Sequence, residues 1–235
     1  MKNPVARLND FVKANLSKIG KVVDFDPAQD KLYQFDLTAG NKELEAATIS
    51  DTVKFSFWVS QKLKTNGCRY GIGGFLENRT IYAYSPLFNN ASNERTLHLG
   101  VDIWAAEGTP VYAPLNGKAH SFQDNNNFGD YGPTIILEHD LDGLQLYTLY
   151  GHLSRKSLEG LFNRSEVTCG QQIATFGNAE ENGNWPPHLH FQLMFDMQGK
   201  LGDYPGVCSP AEKEHYLANI ADPQIILQLP RAVNA

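Results

Sequence analysis

The sequence predicts a mainly β protein: an antiparallel β-sheet core with an N-terminal mixed α/β extension and a short C-terminal helix. Two observations predict this. From about His98 onward, short runs rich in Val, Ile, Leu and Tyr alternate with clusters of Gly, Pro, Asn and Asp, at the spacing of a β-meander. Residues 1 to about 90 instead mix helical and strand-like periodicity and carry no chemical motif. The expected division is residues 1–90 as a mixed helical and strand region, and residues 91–235 as a β domain with a C-terminal helical tail. A chain of 235 residues can bury a full core without disulfides.

Taken in order, Val5, Leu8, Val12, Leu16 and Ile19 recur at three- and four-residue steps, which predicts an amphipathic helix. Asn3 before Pro4 caps its start and Gly20 ends it. Tyr33, Phe35 and Leu37 alternate as a strand within 31–37. Residues 41–65 read as two helical pieces, the second capped by Ser50 or Asp51 and stopped by Gly67. Seven candidate strands follow, at 100–104, 109–113, 117–123, 134–139, 144–150, 172–176 and 188–195. Residues 124–132 form an Asn- and Gly-rich loop. Asp140 and Asp142 flank Gly143 in a hairpin turn. Ser209-Pro210 opens a last helix over 209–220, and Asp222-Pro223 interrupts it before 224–229.

Composition excludes some classes. The 20 Lys and Arg are scattered among 26 Asp and Glu, so no basic stripe marks a nucleic-acid partner. No apolar run approaches the roughly 18 residues of a membrane span, and no membrane partner is expected. The N-terminus lacks the apolar stretch of a signal peptide, which as it stands predicts a cytoplasmic protein, or a periplasmic or secreted one if a signal has been removed. Cys68, Cys169 and Cys208 form no CxxC pair and read as small hydrophobes. Nothing in the sequence fixes an oligomeric state.

Three clusters carry chemistry. His98-Leu99-Gly100-Val101-Asp102 offers an imidazole and a carboxylate, both good zinc donors. Positions four apart on a straight strand are roughly 13 Å apart, so the segment must bend to bring them together, and Gly100 permits that. In His188-Leu189-His190-Phe191 the two imidazoles share one face of a strand, roughly 6–7 Å apart, while Leu189 and Phe191 face the core. His152 ends an apolar strand in Tyr150-Gly151-His152-Leu153-Ser154. His120 and His139 lack partner motifs and read as structural or surface residues, and His215 as a solvated one. Arg69, Glu77 and Arg79 read equally as substrate contacts or surface charges. One of Tyr147 and Tyr150 is a candidate to face the cleft.

The three clusters, in this order, resemble the lysostaphin/LytM-type zinc endopeptidases, with their His-x-x-x-Asp, Tyr-x-His-Leu and His-x-His motifs. Gly108-Thr109-Pro110-Val111, Ala113-Pro114, Gly117 and Gly170 also match. The resemblance runs from about Leu97 to Phe195 and, through Tyr147–Ser154 and Trp185–Phe191, is similar to a branch lacking a secretion signal. It implies a zinc (Zn2+) site with His98, Asp102 and His190 as ligands. His152 and His188 become the catalytic histidines that handle the attacking water and the tetrahedral intermediate. The substrate it implies is a peptide or peptidoglycan fragment, hydrolysed by a zinc-activated water. Two other readings stay open: a cytoplasmic zinc hydrolase acting on a small metabolite or peptide, and a non-catalytic zinc-binding domain.

Overall fold

The computed structural model describes residues 3–79, 81–82 and 94–230. Helix α1 (Pro4–Ala14) begins where the sequence places it, with the Asn3 side chain accepting from Ala6 N. It ends before Gly20, however. The Asn15 side chain donates to Phe11 O, and Leu16–Lys18 tightens into a 3₁₀ turn, so the apolar periodicity outlasts the helix. Strand β1 (Leu32–Gln34) is a shortened form of the expected 31–37. Helices α2 (Ala46–Ile49) and α3 (Thr52–Thr65) are the two helical pieces. Asp51 caps α3 by accepting from Val53 N and Lys54 N, and Gly67 leaves it at φ 62°.

Strand β2 (Tyr70–Gly73) precedes β3 (Leu97–His98), β4 (Val101–Trp104), β5 (Pro110–Tyr112), β6 (Gly117–Asn125) and β7 (Gly132–Leu141). Then come β8 (Leu144–Gly151), β9 (Glu166–Val167), β10 (Gln172–Thr175), β11 (His188–Met194) and β12 (Val207–Cys208). All seven expected strands are present. The large sheet has the order β1-β2-β4-β11-β8-β7-β6-β9, antiparallel throughout except for the parallel β1–β2 pair. The mainly β, antiparallel expectation holds. The N-terminal region contributes β1 and β2 to this same sheet, beside β4. The expected boundary between residues 90 and 91 lies outside the described residues.

The last expected helix is broken. Ser209 and Glu212 form a capping box on a 3₁₀ turn, α4 covers only Lys213–Leu217, and β13 (Ile220–Ala221) pairs with β11. Ile220 and Ala221 are buried there, so strand pairing and burial override the helical pattern. Helix α5 (Gln224–Leu227) closes the fold. No helix among the described residues is long and apolar enough to cross a membrane.

Alternation along β11 positions the site. Leu189, Phe191 and Leu193 enter a core shared with Leu8 and Val12 of α1, Ile103 of β4 and Ile135 of β7. Each such side chain contributes about 1.5–3 kcal/mol on burial. His188, His190 and Gln192 therefore share the opposite face, which is also buried. There Trp104, Phe35 and Phe55 form a second apolar cluster beneath α3.

Candidate metal centre

Residues His98 and Asp102 come together because β3 stops at His98 and β4 starts at Val101, with a bend at Leu99-Gly100. A side chain at Gly100 would place its Cβ 2.6 Å from the His190 ring and 2.8 Å from Phe191 O. Glycine is thus needed for the close approach of β11 as well as for the bend. His190 sits opposite Asp102 in the β4–β11 register. His98 Nε2 lies 2.9 Å from His190 Nδ1, and Asp102 Oδ1 lies 3.2 Å from the former and 3.1 Å from the latter.

The outward-facing atoms of both imidazoles fix their tautomers. His98 Nδ1 faces the Gly74 carbonyl at 2.9 Å, so it carries a proton and Nε2 does not. His190 Nε2 faces Gln192 Oε1 at 2.9 Å, and Gln192 Nε2 donates to Pro205 O, which settles the amide orientation. In the neutral ring Nδ1 is then the acceptor that faces His98 and Asp102. Burial holds the Asp102 carboxyl back from ionising, but His98 and Arg79 outweigh it and keep the group well below the usual carboxylate range. Burial, assisted by Arg79, pushes His98 down to about 4. With both imidazoles neutral, three lone-pair atoms converge with no hydrogen between them. That arrangement is repulsive alone and suits a small cation. Tetrahedral zinc with bonds of 2.0–2.1 Å requires ligand atoms about 3.3 Å apart, close to the separations present, so the residues fit the ion.

The other two histidines stand beside this triangle. His188 Nδ1 donates to Pro186 O at 2.7 Å and His152 Nδ1 donates to Asn182 O at 2.8 Å, leaving both Nε2 atoms as acceptors. Their rings lie 4.0 Å apart, and Trp104 stacks on the far side of His188 at 4.2 Å. Burial lowers His188 to about 4. Burial and the neighbouring His188 hold His152 well below its ordinary value. His152 takes φ 61°, a left-handed conformation costing about 1–3 kcal/mol in a non-glycine residue. Its N–H donates to Tyr131 O, its carbonyl accepts from Gly177 N, and these with Asn182 hold it there. His152, His188, His190 and Asp102 line one cleft, flanked by Tyr82, Trp185 and Tyr131.

The family model described as Peptidase family M23 matches residues 96–201. A lipoprotein NlpD of Yersinia enterocolitica is 32% identical over 94 residues, which cover 40% of this chain and 86% of that protein. The chain belongs to peptidase family M23. An uncharacterized metalloprotease of Haemophilus influenzae is 26% identical over 237 residues, covering 92% of this chain. The DD-carboxypeptidase/endopeptidase Mpg of Neisseria meningitidis is 32% identical over 102 residues, covering 43% of this chain and 21% of Mpg. This M23 chain spans about half the length of the Haemophilus relative, 47%.

Around this cleft the structure decides one reading that the sequence leaves open and adds residues that it does not single out. Arg79 is not a surface charge: it is 1% exposed, and its guanidinium donates to Asp102 Oδ2. No local pattern could reveal this, because the partner is 23 residues away. Tyr131, expected in a loop, starts the turn into β7 and brings its hydroxyl 3.4 Å from His190 Nε2. Gln192 had one legible signal, its place two residues beyond His190 on the same face. Neither Tyr147 nor Tyr150 faces the cleft: Tyr150 is buried in the core beside Phe191, and Tyr147 packs on His120. Arg69 reaches Asp24 and Asp30 on the exterior. His139 is structural as expected, bound to Asn116 O and Thr148 Oγ1. Exposed His215 packs edge-on against Tyr216. All three cysteines are free, with Cys68 and Cys208 buried.

Proposed function

We propose that this M23 chain is a zinc metallopeptidase, with His98 Nε2, Asp102 Oδ1 and His190 Nδ1 as the ligands and His152 and His188 as the catalytic histidines. The observation that carries the reading is the triangle of three acceptors whose tautomers are set by Gly74 O and Gln192 Oε1. Three protein ligands leave a fourth position open, the mark of a catalytic site. A zinc ion bound there supplies Lewis acidity and lowers the pKa of a water to about 7.

The chain's own residues do the rest. His152 and His188 each present an unprotonated Nε2 to the cleft, held in that tautomer by a backbone carbonyl. One accepts the proton of the attacking water as general base. The protonated imidazole then donates to the carbonyl oxygen as charge develops, and returns the proton to the departing amine nitrogen. Burial favours the neutral imidazole, so the proton is released readily. Trp104 fixes the His188 ring plane by stacking.

The substrate is a peptide of the peptidoglycan type, a reading supported by family membership and by the endopeptidase name of the Neisseria relative. The lipoprotein name of the Yersinia relative supports a location outside the cytoplasm, the second of the two that the sequence leaves open. The described part of the N-terminal region borders and narrows the cleft of the 91–235 β domain, a reading supported by Ile81 and Tyr82 at the cleft wall. Tyr82→Ala is then expected to widen the range of substrate sizes accepted.

The experiment is elemental analysis of wild type and His190→Ala, followed by hydrolysis assays on peptidoglycan fragments. One zinc per chain, lost in the variant, is expected. Zinc-free wild type prepared without chelator would overturn the metal-centre reading, and zinc-loaded protein inert on every peptide would overturn the peptidase reading alone.

A further inference from the structure

The segment 73–79 lies outside the residues matched by the family model, yet it reaches two of the three proposed ligands. It runs along 96–98, with Leu76 N donating to His98 O, His98 N to Glu77 O and Arg79 N to Thr96 O. Gly74 O takes the proton of His98 Nδ1. Arg79 NH1 donates to Asp102 Oδ2 and to Tyr82 Oη, the latter at 3.0 Å, and Arg79 Nε donates to Glu77 Oε2 at 2.7 Å. Glu77 is anchored in turn, its Oε1 accepting from Leu37 N. A line of hydrogen bonds therefore leads from the segment after β1, through Glu77 and Arg79, to Asp102.

This arrangement is more specific than charge neutralisation requires. Asp102 has two oxygens, and Arg79 occupies one. The carboxylate cannot then turn both toward the triangle formed with His98 and His190. The guanidinium is 1% exposed, and its NH2 has no partner among the described residues. NH2 lies against Gly73, where a Cβ would stand 2.5 Å from it. Gly73 is opposite Asp102 in the β2–β4 register and has no positive φ, so its lack of a side chain serves the guanidinium rather than the backbone.

We propose that Arg79 is a positioning residue of the metal centre: it holds Asp102 by Oδ2 so that Oδ1 alone faces the metal, and Gly73 leaves the space that its guanidinium fills. This rests on the metal-site reading above. A ligating carboxylate held by an outer partner loses about 10–100-fold in metal affinity or activity when the partner is removed. Lysine is a poor replacement, because one ammonium cannot span Glu77 and Asp102 as the planar fork does.

The test is zinc affinity, by competition with a chromogenic chelator, for wild type, Arg79→Gln, Arg79→Lys and Gly73→Ala, with melting curves to establish folding. The visible absorption of the cobalt-substituted proteins reports coordination. Arg79→Gln and Gly73→Ala are expected to bind zinc about 10–100-fold more weakly, and Arg79→Lys to stay several-fold weaker than wild type. The cobalt bands of Arg79→Gln are expected to lose intensity as the freed carboxylate adds a second oxygen. Gly73→Ala removes no polar group, so it carries the test even if Arg79→Gln does not fold. Folded variants with wild-type affinity and an unchanged cobalt spectrum would overturn the proposal, leaving Arg79 a structural ion-pair partner. Wild type that binds no zinc would overturn the underlying metal-site reading as well.

Discussion

Two buried histidine clusters share this sheet, and among the described residues the one around His98 is the cluster whose atoms could hold an ion. His139 and His98 are both fully buried, and burial lowers both to about 4. Around His139 both ring nitrogens have a partner of the complementary kind. Nδ1 donates to Asn116 O, leaving Nε2 to accept from Thr148 Oγ1, which lies 3.1 Å from Tyr150 Oη. Around His98 the outward nitrogen is equally well satisfied, but the inward one meets two further acceptors, His190 Nδ1 and Asp102 Oδ1. A depressed pKa therefore does not separate a site from a core residue. The count of protons against lone pairs does.

The contrast breaks most readily at the histidines that no ligand role explains. His188→Ala and His152→Ala are each expected to lower kcat by about 10²–10⁴-fold, the range of general acid–base catalysis, with zinc content unchanged. Near-normal turnover in either would remove the proposed mechanism. Gln192→Leu sharpens the comparison at the triangle itself. It deprives the His190 Nε2–H of its acceptor, and chelator competition is expected to show about 10–100-fold weaker zinc binding. A wild-type affinity would mean that the tautomer of His190 is set by something other than Gln192.

At the satisfied cluster the effect should appear in stability. His139→Gln is expected to cost about 1–3 kcal/mol in urea melts at neutral pH while turnover per folded molecule stays the same. The cost should also depend on pH. The folded pKa of His139, about 4, lies below the ordinary value of roughly 6.5, so the unfolded chain takes up the proton first on acidification. The His139 share of stability is whole above pH 6.5 and is lost between 6.5 and 4, up to about 3 kcal/mol. The gap between wild type and variant should narrow over that window, and a constant gap would contradict the buried neutral assignment. Smallest of all, His215→Ala on exposed α4 should stay within about 0.5 kcal/mol of wild type with zinc binding unchanged.

Much of the fold was legible in residue order. The alternation of Leu189, Phe191 and Leu193 with His188, His190 and Gln192 assigns faces on β11 because a strand has period two. The turn at Asp142-Gly143 was legible because both residues tolerate the positive φ they adopt, 52° and 80°. The last helix differs from the expectation because Ile220 and Ala221 are helix-compatible locally and become a strand only by pairing with Met194 and Leu193 of β11. The place of Arg79 stayed open in sequence because a buried arginine and a surface arginine look alike there, and Glu77, Asp102 and Tyr82 together make its burial tolerable.

By itself, the sequence determined the strand-rich architecture and the motif-bearing residues His98, Asp102, His152, His188 and His190, since periodicity and motif spacing are local properties of the chain. The tertiary structure alone decided which atom of each residue faces inward. That choice depends on Gly74 O, Pro186 O, Asn182 O, Gln192 and Arg79. A proton on an imidazole is placed by whichever acceptor the folded chain brings within 3 Å, and most of these partners come from other elements of the chain.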